Sequence, residues 1–221
     1  MNDIHSTAII GDSVRLGDGN YVGPFTYIFG NVEMGDGNWI GPHVTIGTAA
    51  QYHGPRNEWK TPTLPIRIGN GCTIREYVAV HEPFIGKTII EDDCYLMAGS
   101  QVGHDIVLRE KVTLANAVQI GGFSEIGYGA WIGLGATIHQ YTTIGAFVMV
   151  GMSTVVVKDL PPFTKWAGNP ARYLGINEVG LRRNGFSEAD IADIIAGDYR
   201  NGHVDIFLRR NALYNREIAA T

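Results

Sequence analysis

An aliphatic residue returns every six positions along most of this chain, and this period restricts the fold more than any other feature. Twenty-three residues share it, in three runs: Ile4, Ile10, Leu16, Val22, Ile28, Met34, Ile40 and Ile46; Ile68, Ile74 and Val80; Ile90, Leu96, Val102, Leu108, Leu114, Ile120, Ile126, Ile132, Ile138, Ile144, Val150 and Val156. A six-residue repeat indicates a parallel β-helix, in which each hexad supplies a short strand and a turn. Glycine often follows the aliphatic residue, and we expect these glycines at sharp bends because glycine tolerates positive φ. Three hexads close one coil, so residues 18 apart should lie above each other on neighbouring coils, about 4.8 Å apart.

Two interruptions break the six-residue period. The first spans residues 48–67 and the second spans residues 81–89, both within the predicted β-helix of residues 1–160. Insertions in a repeat protein usually map to loops on one face. A tract as long as the first is uncommon unless it is functional, although either interruption alone is also compatible with a tolerated surface excursion. Two loops on the same side of a regular scaffold favour a binding site.

The repeat ends near Pro161 and Pro162, which cannot donate to a strand ladder. Residues 161–221 are therefore predicted to be a linker and a short C-terminal helical tail. Ser187 and Asp190 resemble a capping box at the start of one helix, and apolar residues follow at helical spacing. A second amphipathic helix is expected to use four apolar residues: Val204, Phe207, Leu208 and Leu213. The tail is too short for a core of its own, so we expect it to pack on the solenoid or on a neighbouring subunit.

Composition and charge argue against several classes of function. A net charge of −5 gives no electrostatic footprint for a nucleic acid. No apolar run approaches the roughly 18 residues that a membrane span needs, and no secretory leader is recognisable. Cys72 and Cys94 are too few for a disulfide framework and are interpreted as reduced thiols. These features predict a cytoplasmic protein with no transmembrane segment and no nucleic-acid partner.

The 18-residue spacing brings chemically useful side chains into neighbouring columns. His104 lies two positions after the periodic Val102, and Gly122 and Gln140 follow it at intervals of 18. His139 lies in the adjacent column. Because two coils separate the ends of this group, we expect it to fall within about 10 Å.

These residues suit acyl transfer. A neutral His104 can remove a proton from an attacking hydroxyl or amine, and the Gly122 N–H can stabilise an oxyanion because no side chain covers it. Asp105 follows His104, and adjacent residues of a strand point to opposite faces. Asp105 can therefore orient the imidazole only if the chain turns there. His139 either lines this site or holds a structural hydrogen bond.

The remaining histidines and motifs argue against other chemistries. His5 and His43 have no partners in phase and are interpreted as structural or exposed. The histidines and cysteines form no ligand-spaced cluster, so no metal site is predicted. The sequence contains no Gly-x-Ser-x-Gly elbow and no phosphate-loop signature, which argues against a serine hydrolase and a nucleoside triphosphatase.

At these residues the chain resembles the UDP-N-acetylglucosamine O-acyltransferases of lipid A biosynthesis, a family of hexapeptide-repeat acyltransferases. The segments that carry the resemblance are residues 4–10, 74–76, 80–81, 103–105, 115–117, 121–122, 138–140, 146–151, 180–183 and 185–186. The resemblance implies an all-β solenoid, a left-handed parallel β-helix that forms a homotrimer with active sites between subunits. It also implies an acyl carrier protein thioester as donor, a UDP-N-acetylglucosamine-like nucleotide sugar as acceptor, and no permanently bound cofactor.

The resemblance also assigns roles to individual residues. His104 would be the general base, Asp105 its carboxylate partner and Gly122 the source of the oxyanion-hole N–H. Five further residues would bind the substrates: Lys60 from the first loop, His139 and Gln140 in the cleft, and Asn177 and Arg183 near the nucleotide. Met152 stands at the family's acyl-length ruler, and its bulk predicts a short to medium acyl chain.

Four positions depart from the family. Gln101 and Phe123 replace two histidines that contact the sugar, and both are kept as candidate substrate-binding residues. Pro170 replaces a further histidine, and Asn184 interrupts the paired arginines. The departures predict that the acyl-transfer chemistry is retained and that sugar recognition is altered.

Three functions follow from these observations. The leading prediction is transfer of a 3-hydroxyacyl or similar group, from acyl carrier protein or coenzyme A, to a hydroxyl or amine of a nucleotide sugar. The first alternative is an acetyl-CoA-dependent sugar N- or O-acetyltransferase that acts on polysaccharide or natural-product sugars. The second is a non-catalytic hexapeptide scaffold, which would leave the register of His104, Gly122 and Gln140 unexplained.

Overall fold

The computed structural model describes residues 1–51, 64–199 and 204, and its main body is the predicted left-handed parallel β-helix. The strands in chain order are β1 Asp3–Ile4, β2 Ile9–Ile10, β3 Arg15–Leu16, β4 Tyr21–Val22, β5 Tyr27–Ile28, β6 Val32–Met34, β7 Trp39–Ile40, β8 Thr45–Thr48, β9 Ile66–Ile68, β10 Thr73–Ile74, β11 Ala79–His81, β12 Thr88–Ile90, β13 Tyr95–Leu96, β14 Gln101–Val102, β15 Val107–Leu108, β16 Thr113–Leu114, β17 Gln119–Ile120, β18 Glu125–Ile126, β19 Trp131–Ile132, β20 Thr137–Ile138, β21 Thr143–Ile144, β22 Met149–Val150, β23 Val155–Val156, β24 Thr164–Ala167 and β25 Arg172–Ile176.

The strands form three sheets, which are the three faces of a triangular prism. Sheet A has the order β1-β4-β7-β10-β13-β16-β19-β22-β24-β25, sheet B the order β2-β5-β8-β11-β14-β17-β20-β23, and sheet C the order β3-β6-β9-β12-β15-β18-β21. We name the three edges of the prism by the sheets that the chain connects there: the A–B edge, the B–C edge and the C–A edge.

Neighbouring strands pair in the register that the six-residue period predicts. Gln101 pairs with Gln119, which pairs with Thr137, so residues 18 apart lie on successive rungs of sheet B. Larger intervals occur only where an interruption lies between the strands, as for Thr45 and Ala79. The predicted stacking of residues 18 apart is therefore confirmed for β14, β17 and β20.

The periodic aliphatic residues fill the interior of the prism. From Val22 to Val156 they are buried, and most are inaccessible to solvent. Ile4 is 42% exposed because it lies on the terminal rung, with a neighbouring coil on one side only. Burial of these side chains supplies the main stabilisation of the solenoid, at about 25 cal/mol per Å² of apolar surface.

The expected reason for the repeated glycines is wrong. Most glycines directly after a periodic residue have ordinary φ, and positive φ occurs instead two residues later, as at His43 (φ 57°) and Asp105 (φ 58°). The glycines are needed for space: a Cβ on Gly23 would lie 2.9 Å from the Gly41 carbonyl carbon, and a Cβ on Gly121 would lie 2.7 Å from the Gln140 nitrogen. Close approach of neighbouring coils therefore selects glycine there.

The parallel ladder continues beyond residue 160. Leu160 bridges to Ile144 in sheet C, and β24 pairs in parallel with β22. The chain then reverses, so that β25 is antiparallel to β24. Two helices follow, α1 over Glu178–Arg183 and α2 over Glu188–Ala196.

The capping box predicted for the tail is confirmed. The Ser187 side chain accepts a hydrogen bond from the Asp190 N–H, and the Asp190 carboxylate accepts one from the Ser187 N–H. Gly197, with φ of 73°, ends α2 in the left-handed conformation. Of the second predicted helix, only Val204 lies within the described residues.

The tail packs on the solenoid, which is one of the two arrangements expected for it. Its apolar residues meet two side chains of the C–A edge, Ala146 and Phe147. The members of this cluster are Ala146, Phe147, Phe163, Leu181, Phe186, Ile191, Ile194 and Val204. The tail therefore completes its core with the last coils of the β-helix.

Candidate active site

Both interruptions of the repeat leave the solenoid at the B–C edge. The first connects β8 to β9 and the second connects β11 to β12, on adjacent coils. The next turn along this edge, between β14 and β15, carries His104 and Asp105. Gly122 and Gln140 follow at the same edge on the next two coils. The two loops and the predicted column therefore meet at one edge of the prism.

His104 and Asp105 form a hydrogen-bonded pair. The distance from His104 Nδ1 to Asp105 Oδ2 is 2.7 Å, and the side chains are 14% and 3% exposed. Adjacent residues make this contact because the chain turns at Asp105, whose φ is 58°. Asp105 was expected to orient the His104 imidazole only if the chain turns at this point, and the chain does turn there.

The Asp105 carboxylate also holds the second loop. Oδ2 accepts a hydrogen bond from the Phe84 N–H (2.7 Å), and Oδ1 accepts from the N–H groups of Ile85 (3.2 Å) and Gly86. A carboxylate that accepts these bonds acts as an acceptor toward His104 as well, so His104 Nδ1 carries the proton. His104 Nε2 is then the unprotonated nitrogen and can act as a base.

Gly122 lies directly over the His104 ring. A Cβ at position 122 would lie 2.6 Å from His104 Cε1 and 2.7 Å from Nε2, so any side chain would displace the imidazole. The Gly122 carbonyl accepts from the Tyr141 N–H, whereas the Gly122 N–H donates to no group within the described residues. The glycine thus combines contact to the base with an N–H that has no partner among the described residues, as an oxyanion hole requires.

Aromatic side chains surround the imidazole. The His104 ring meets Phe123 and Phe84 edge-on, at centroid distances of 5.0 and 6.0 Å. Phe123 stacks on Tyr141 at 4.7 Å with nearly parallel planes, and Tyr141 is 65% exposed. Sequence reasoning missed Phe84 and Tyr141. Tyr141 lies 18 residues after Phe123, so the same spacing that predicted Gly122 could have identified it.

Gln101 belongs to a polar network beside this pair. Its Nε2 lies 3.1 Å from His81 Nε2 and 3.2 Å from Gln51 Oε1. Burial lowers the pKa of His81. Burial also raises the pKa of Glu82, which directly follows His81. Neutral His81 is thus the favoured form in this network.

His139 and Gln140 are exposed on the next coil of the B–C edge. The His139 Nδ1 lies 3.0 Å from the Gln140 carbonyl oxygen, so His139 has the structural hydrogen bond that was one of its two predicted roles. Both side chains remain accessible to a ligand at this edge. Lys60 lies outside the described residues.

Arg183 lies in a cavity on another face of the solenoid. The cavity has a volume of about 640 Å³, and its lining includes the outward side chains of sheet A, among them Trp131 and Lys165. Asn177 also lines it, but its side chain is engaged at the start of α1: Nδ2 donates to the Phe147 carbonyl and Oδ1 accepts from the Gly180 N–H.

Met152 is 69% exposed at the A–B edge. Sheet A is the face opposite the B–C edge, so one chain does not bring Arg183 together with His104. The described site residues are thus divided between sheet B with its B–C edge, the cavity on sheet A and the A–B edge.

Two further classes of site have no counterpart in the described part of the chain. No group of three His, Cys, Asp or Glu side chains there could hold a metal ion. No helix among the same residues is long and apolar enough to cross a membrane.

Comparison with known proteins identifies relatives for almost the whole chain. A family model described as UDP-N-acetylglucosamine O-acyltransferase, domain 2, matches residues 159–197. The acyl-[acyl-carrier-protein]–UDP-N-acetylglucosamine O-acyltransferase of Thermodesulfovibrio yellowstonii is 36% identical, over 86% of this chain and 81% of that protein. The enzyme of the same name from Saccharophagus degradans is 40% identical, over 88% of this chain and 82% of that protein.

Solved structures show the same architecture. The UDP-N-acetylglucosamine acyltransferase of Bacteroides fragilis superimposes with a TM-score of 0.78 at 29% identity, over 91% of this chain and 84% of that one. The Acinetobacter baumannii structure gives a TM-score of 0.78 at 27% identity, over 90% and 85% of the two chains. Fold, sequence identity and coverage agree, and the chain therefore belongs to the acyl-[acyl-carrier-protein]–UDP-N-acetylglucosamine O-acyltransferase family.

Proposed function

We propose that this acyltransferase moves an acyl group from an acyl carrier protein thioester to a hydroxyl of UDP-N-acetylglucosamine or a closely similar nucleotide sugar. Its relatives' names describe this donor and acceptor. The observation that carries the proposal is the His104 ring, held by a buried carboxylate directly beneath a glycine. A non-catalytic scaffold protein would not need a histidine held by a buried carboxylate, because other small polar residues could occupy this turn.

His104 is the proposed general base. Its Nε2 takes the proton of the acceptor hydroxyl as the oxygen attacks the thioester carbonyl carbon, while Asp105 stabilises the resulting imidazolium. The tetrahedral intermediate then collapses with cleavage of the carbon–sulfur bond. The imidazolium returns its proton to the departing thiolate, so His104 ends each cycle neutral.

Gly122 is the proposed oxyanion donor. Negative charge develops on the carbonyl oxygen as the tetrahedral intermediate forms, and a fixed N–H in a partly enclosed site stabilises that charge. Two features of Gly122 support this role: its N–H has no partner among the described residues, and the residue contacts the base. Gln101, Phe123, His139 and Gln140 are proposed to line the acceptor pocket at the same edge.

The active unit is proposed to be a homotrimer. Arg183 is a predicted nucleotide-binding residue, yet its cavity lies on the face opposite the edge that carries His104. A neighbouring copy of the chain would bring the two together at a shared site. Asn177 is proposed to act there by fixing the start of α1, because its side chain already caps that helix.

Product analysis tests the reaction. The purified protein would receive UDP-N-acetylglucosamine and a panel of other nucleotide sugars, each with acyl carrier protein and coenzyme A thioesters of matched chain length. Mass spectrometry should detect acylated UDP-N-acetylglucosamine with the carrier-protein donor. Products formed only from acetyl-coenzyme A would contradict the proposal and support the acetyltransferase alternative. The absence of any acylated product would support the scaffold.

Subunit complementation tests the shared site. His104→Ala and Arg183→Ala chains should each be nearly inactive as pure trimers. When they are co-assembled in equal amounts, about one site in four combines an intact His104 with an intact Arg183 from different chains. Activity should therefore return in the mixture. An inactive mixture that contains verified hetero-trimers would contradict a site between subunits.

A further inference from the structure

Gln101 faces outward from sheet B on the strand that leads into the His104 turn. Its amide nitrogen has two hydrogen-bond partners, His81 Nε2 at 3.1 Å and Gln51 Oε1 at 3.2 Å. An amide group carries two N–H donors and one carbonyl acceptor. The direction of each bond decides which of these groups is left for a ligand.

His81 fixes the direction of the first bond. Its Nδ1 lies 2.9 Å from Thr48 Oγ1 and 3.2 Å from the Ala49 carbonyl oxygen. A carbonyl oxygen only accepts, so Nδ1 carries the proton and Nε2 carries the lone pair. The side chain is buried, which lowers the pKa of His81 and favours the neutral ring. Gln101 must therefore present an N–H to His81 Nε2.

The second bond uses the other N–H. Gln51 Oε1 is an acceptor, so both donors of the Gln101 amide are occupied within the enzyme. Gln101 Oε1 accepts no hydrogen bond from the described residues. Among those residues the only buried side-chain N or O atom without a partner is Ser100 Oγ, so Gln101 Oε1 is not a buried atom without a partner. Among the described residues, the group of Gln101 that is left without a hydrogen-bond partner is thus its carbonyl acceptor.

We propose that His81 is a positioning residue that locks Gln101 as a hydrogen-bond acceptor, so that the site selects sugars that present a hydroxyl or amine N–H to Gln101 Oε1. The inference rests on the proposed function for the identity of its ligand. His81 does not touch the sugar in this arrangement. Its hydrogen bonds with Thr48 and Ala49 determine, through the Gln101 amide, which functional group the sugar must offer.

Fluorinated acceptors test this selectivity. In UDP-N-acetylglucosamine analogues, one hydroxyl at a time, other than the one that is acylated, is replaced by fluorine, which cannot donate. With acyl carrier protein thioester as donor, the wild type should prefer the hydroxyl at one position at least about tenfold in kcat/KM. Gln101→Met should bring that ratio close to one. His81→Phe should also lower it, because the freed amide can turn its N–H toward the ligand.

The matched control is Gln119→Met, one coil further along sheet B. Gln119 pairs in register with Gln101, but its amide nitrogen lies near the carbonyl oxygens of Gly99 and Ala117. This variant should keep the wild-type ratio. If Gln101→Met and His81→Phe lower kcat/KM equally for both acceptors, their role is only structural and the proposal is wrong. If His81→Phe does not fold, Gln101→Met still decides the acceptor role.

Nitrogen-15 NMR tests the lock without any turnover. His81 should show a protonated Nδ1 and an unprotonated Nε2, and the Gln101 amide signals should change in His81→Phe but not in Gln119→Met. The opposite tautomer would overturn the inference. A wild type that does not acylate UDP-N-acetylglucosamine would contradict the proposed function, and the tautomer of His81 would still decide the orientation of Gln101.

Discussion

Two histidines occupy turns of the same solenoid and have very different surroundings. His43 lies at the A–B edge, exposed, with its ring stacked between Phe25 and Tyr77 at 5.2 and 5.1 Å. No hydrogen bond of that ring to another described residue is found. His104 lies at the B–C edge, 14% exposed, and is hydrogen-bonded to Asp105. The repeat supplies a turn at both edges, so the repeat alone does not make a histidine reactive.

The difference between the two histidines comes from contacts that the repeat itself does not supply. At the B–C edge, three backbone N–H groups of the second loop donate hydrogen bonds to Asp105. These bonds hold the carboxylate in place, and the carboxylate in turn orients His104. At the A–B edge, aromatic neighbours give His43 packing contacts and no acceptor. A candidate active site therefore forms where an inserted loop interrupts the repeat on the coil before His104 and Gly122 leaves space for the imidazole on the coil after it.

Substitution of each histidine by alanine should show the largest difference between the B–C edge and the A–B edge. His104→Ala is expected to lower kcat/KM about 10³-fold, because the proton of the acceptor would have no base to receive it. His43→Ala should change the rate little, since that ring has only stacking contacts among the described residues. Steady-state kinetics with acyl carrier protein thioester would measure both, with thermal melts to verify folding. Equal loss in the two variants would contradict the distinction between the edges.

A methyl group on Gly122 should have the next largest effect. The new Cβ would fall within 2.7 Å of the imidazole Nε2, so the ring must move and the oxyanion site with it. We expect kcat to fall about 10²-fold for Gly122→Ala, in the range for loss of one oxyanion donor. Gly11→Ala, at the far end of the same edge, is the control, because its nearest neighbours lie 3.3 Å away. A Gly122→Ala enzyme with unchanged kcat would exclude the proposed role.

Asp105→Asn should reduce activity and also loosen the loop. An asparagine has one acceptor oxygen in place of two, so its NH2 group must face either His104 and the Phe84 N–H or the N–H groups of Ile85 and Gly86. In the first arrangement His104 is held in the wrong tautomer. We expect a fall in kcat of about tenfold or more, together with a stability loss of about 1–3 kcal/mol from the unpaired N–H groups. Kinetics and chemical denaturation would measure the two effects.

Asp93→Asn is the matched control for the loss of that carboxylate. Asp93 occupies the same turn position at the C–A edge, with φ of 56°, and its side chain is exposed. If both variants behave alike, the effect belongs to the turn and not to the site.

The sequence contains most of this site, for a physical reason. In a solenoid the register is fixed by the repeat, so the 18-residue spacing alone places Gly122 over His104. Whether Asp105 reaches His104 depends instead on backbone dihedrals. The positive φ of Asp105 is imposed by the geometry of the closed coil, and the 18-residue spacing does not reveal it. The sequence therefore predicts that Asp105 contacts His104 if the chain turns at Asp105, but it does not predict whether the turn occurs.

Contacts outside the repeat were the least predictable. The cap formed by Asn177 depends on how the tail folds back, and the network of His81, Gln101 and Gln51 joins residues that no fixed interval relates. The glycines were predicted at the right positions for the wrong reason. Crowding between coils and dihedral freedom both select glycine, and only the structure separates them.

The A–B edge offers the last and smallest test of the comparison. Near the N-terminus this edge carries the stacked His43, whereas on its last coils it carries Met152, 69% exposed in the isolated chain. If the trimer turns this end of the edge into the floor of an acyl groove, Met152→Gly should extend the preferred acyl chain. The gain should be a few methylenes, each worth about 0.8 kcal/mol when buried, with little change in rate on the original donor. A series of acyl carrier protein thioesters of increasing length would measure the profile, with the neighbouring exposed Ser153→Gly as control. An unaltered profile would mean that the A–B edge is structural along its whole length, and that chain length is set elsewhere.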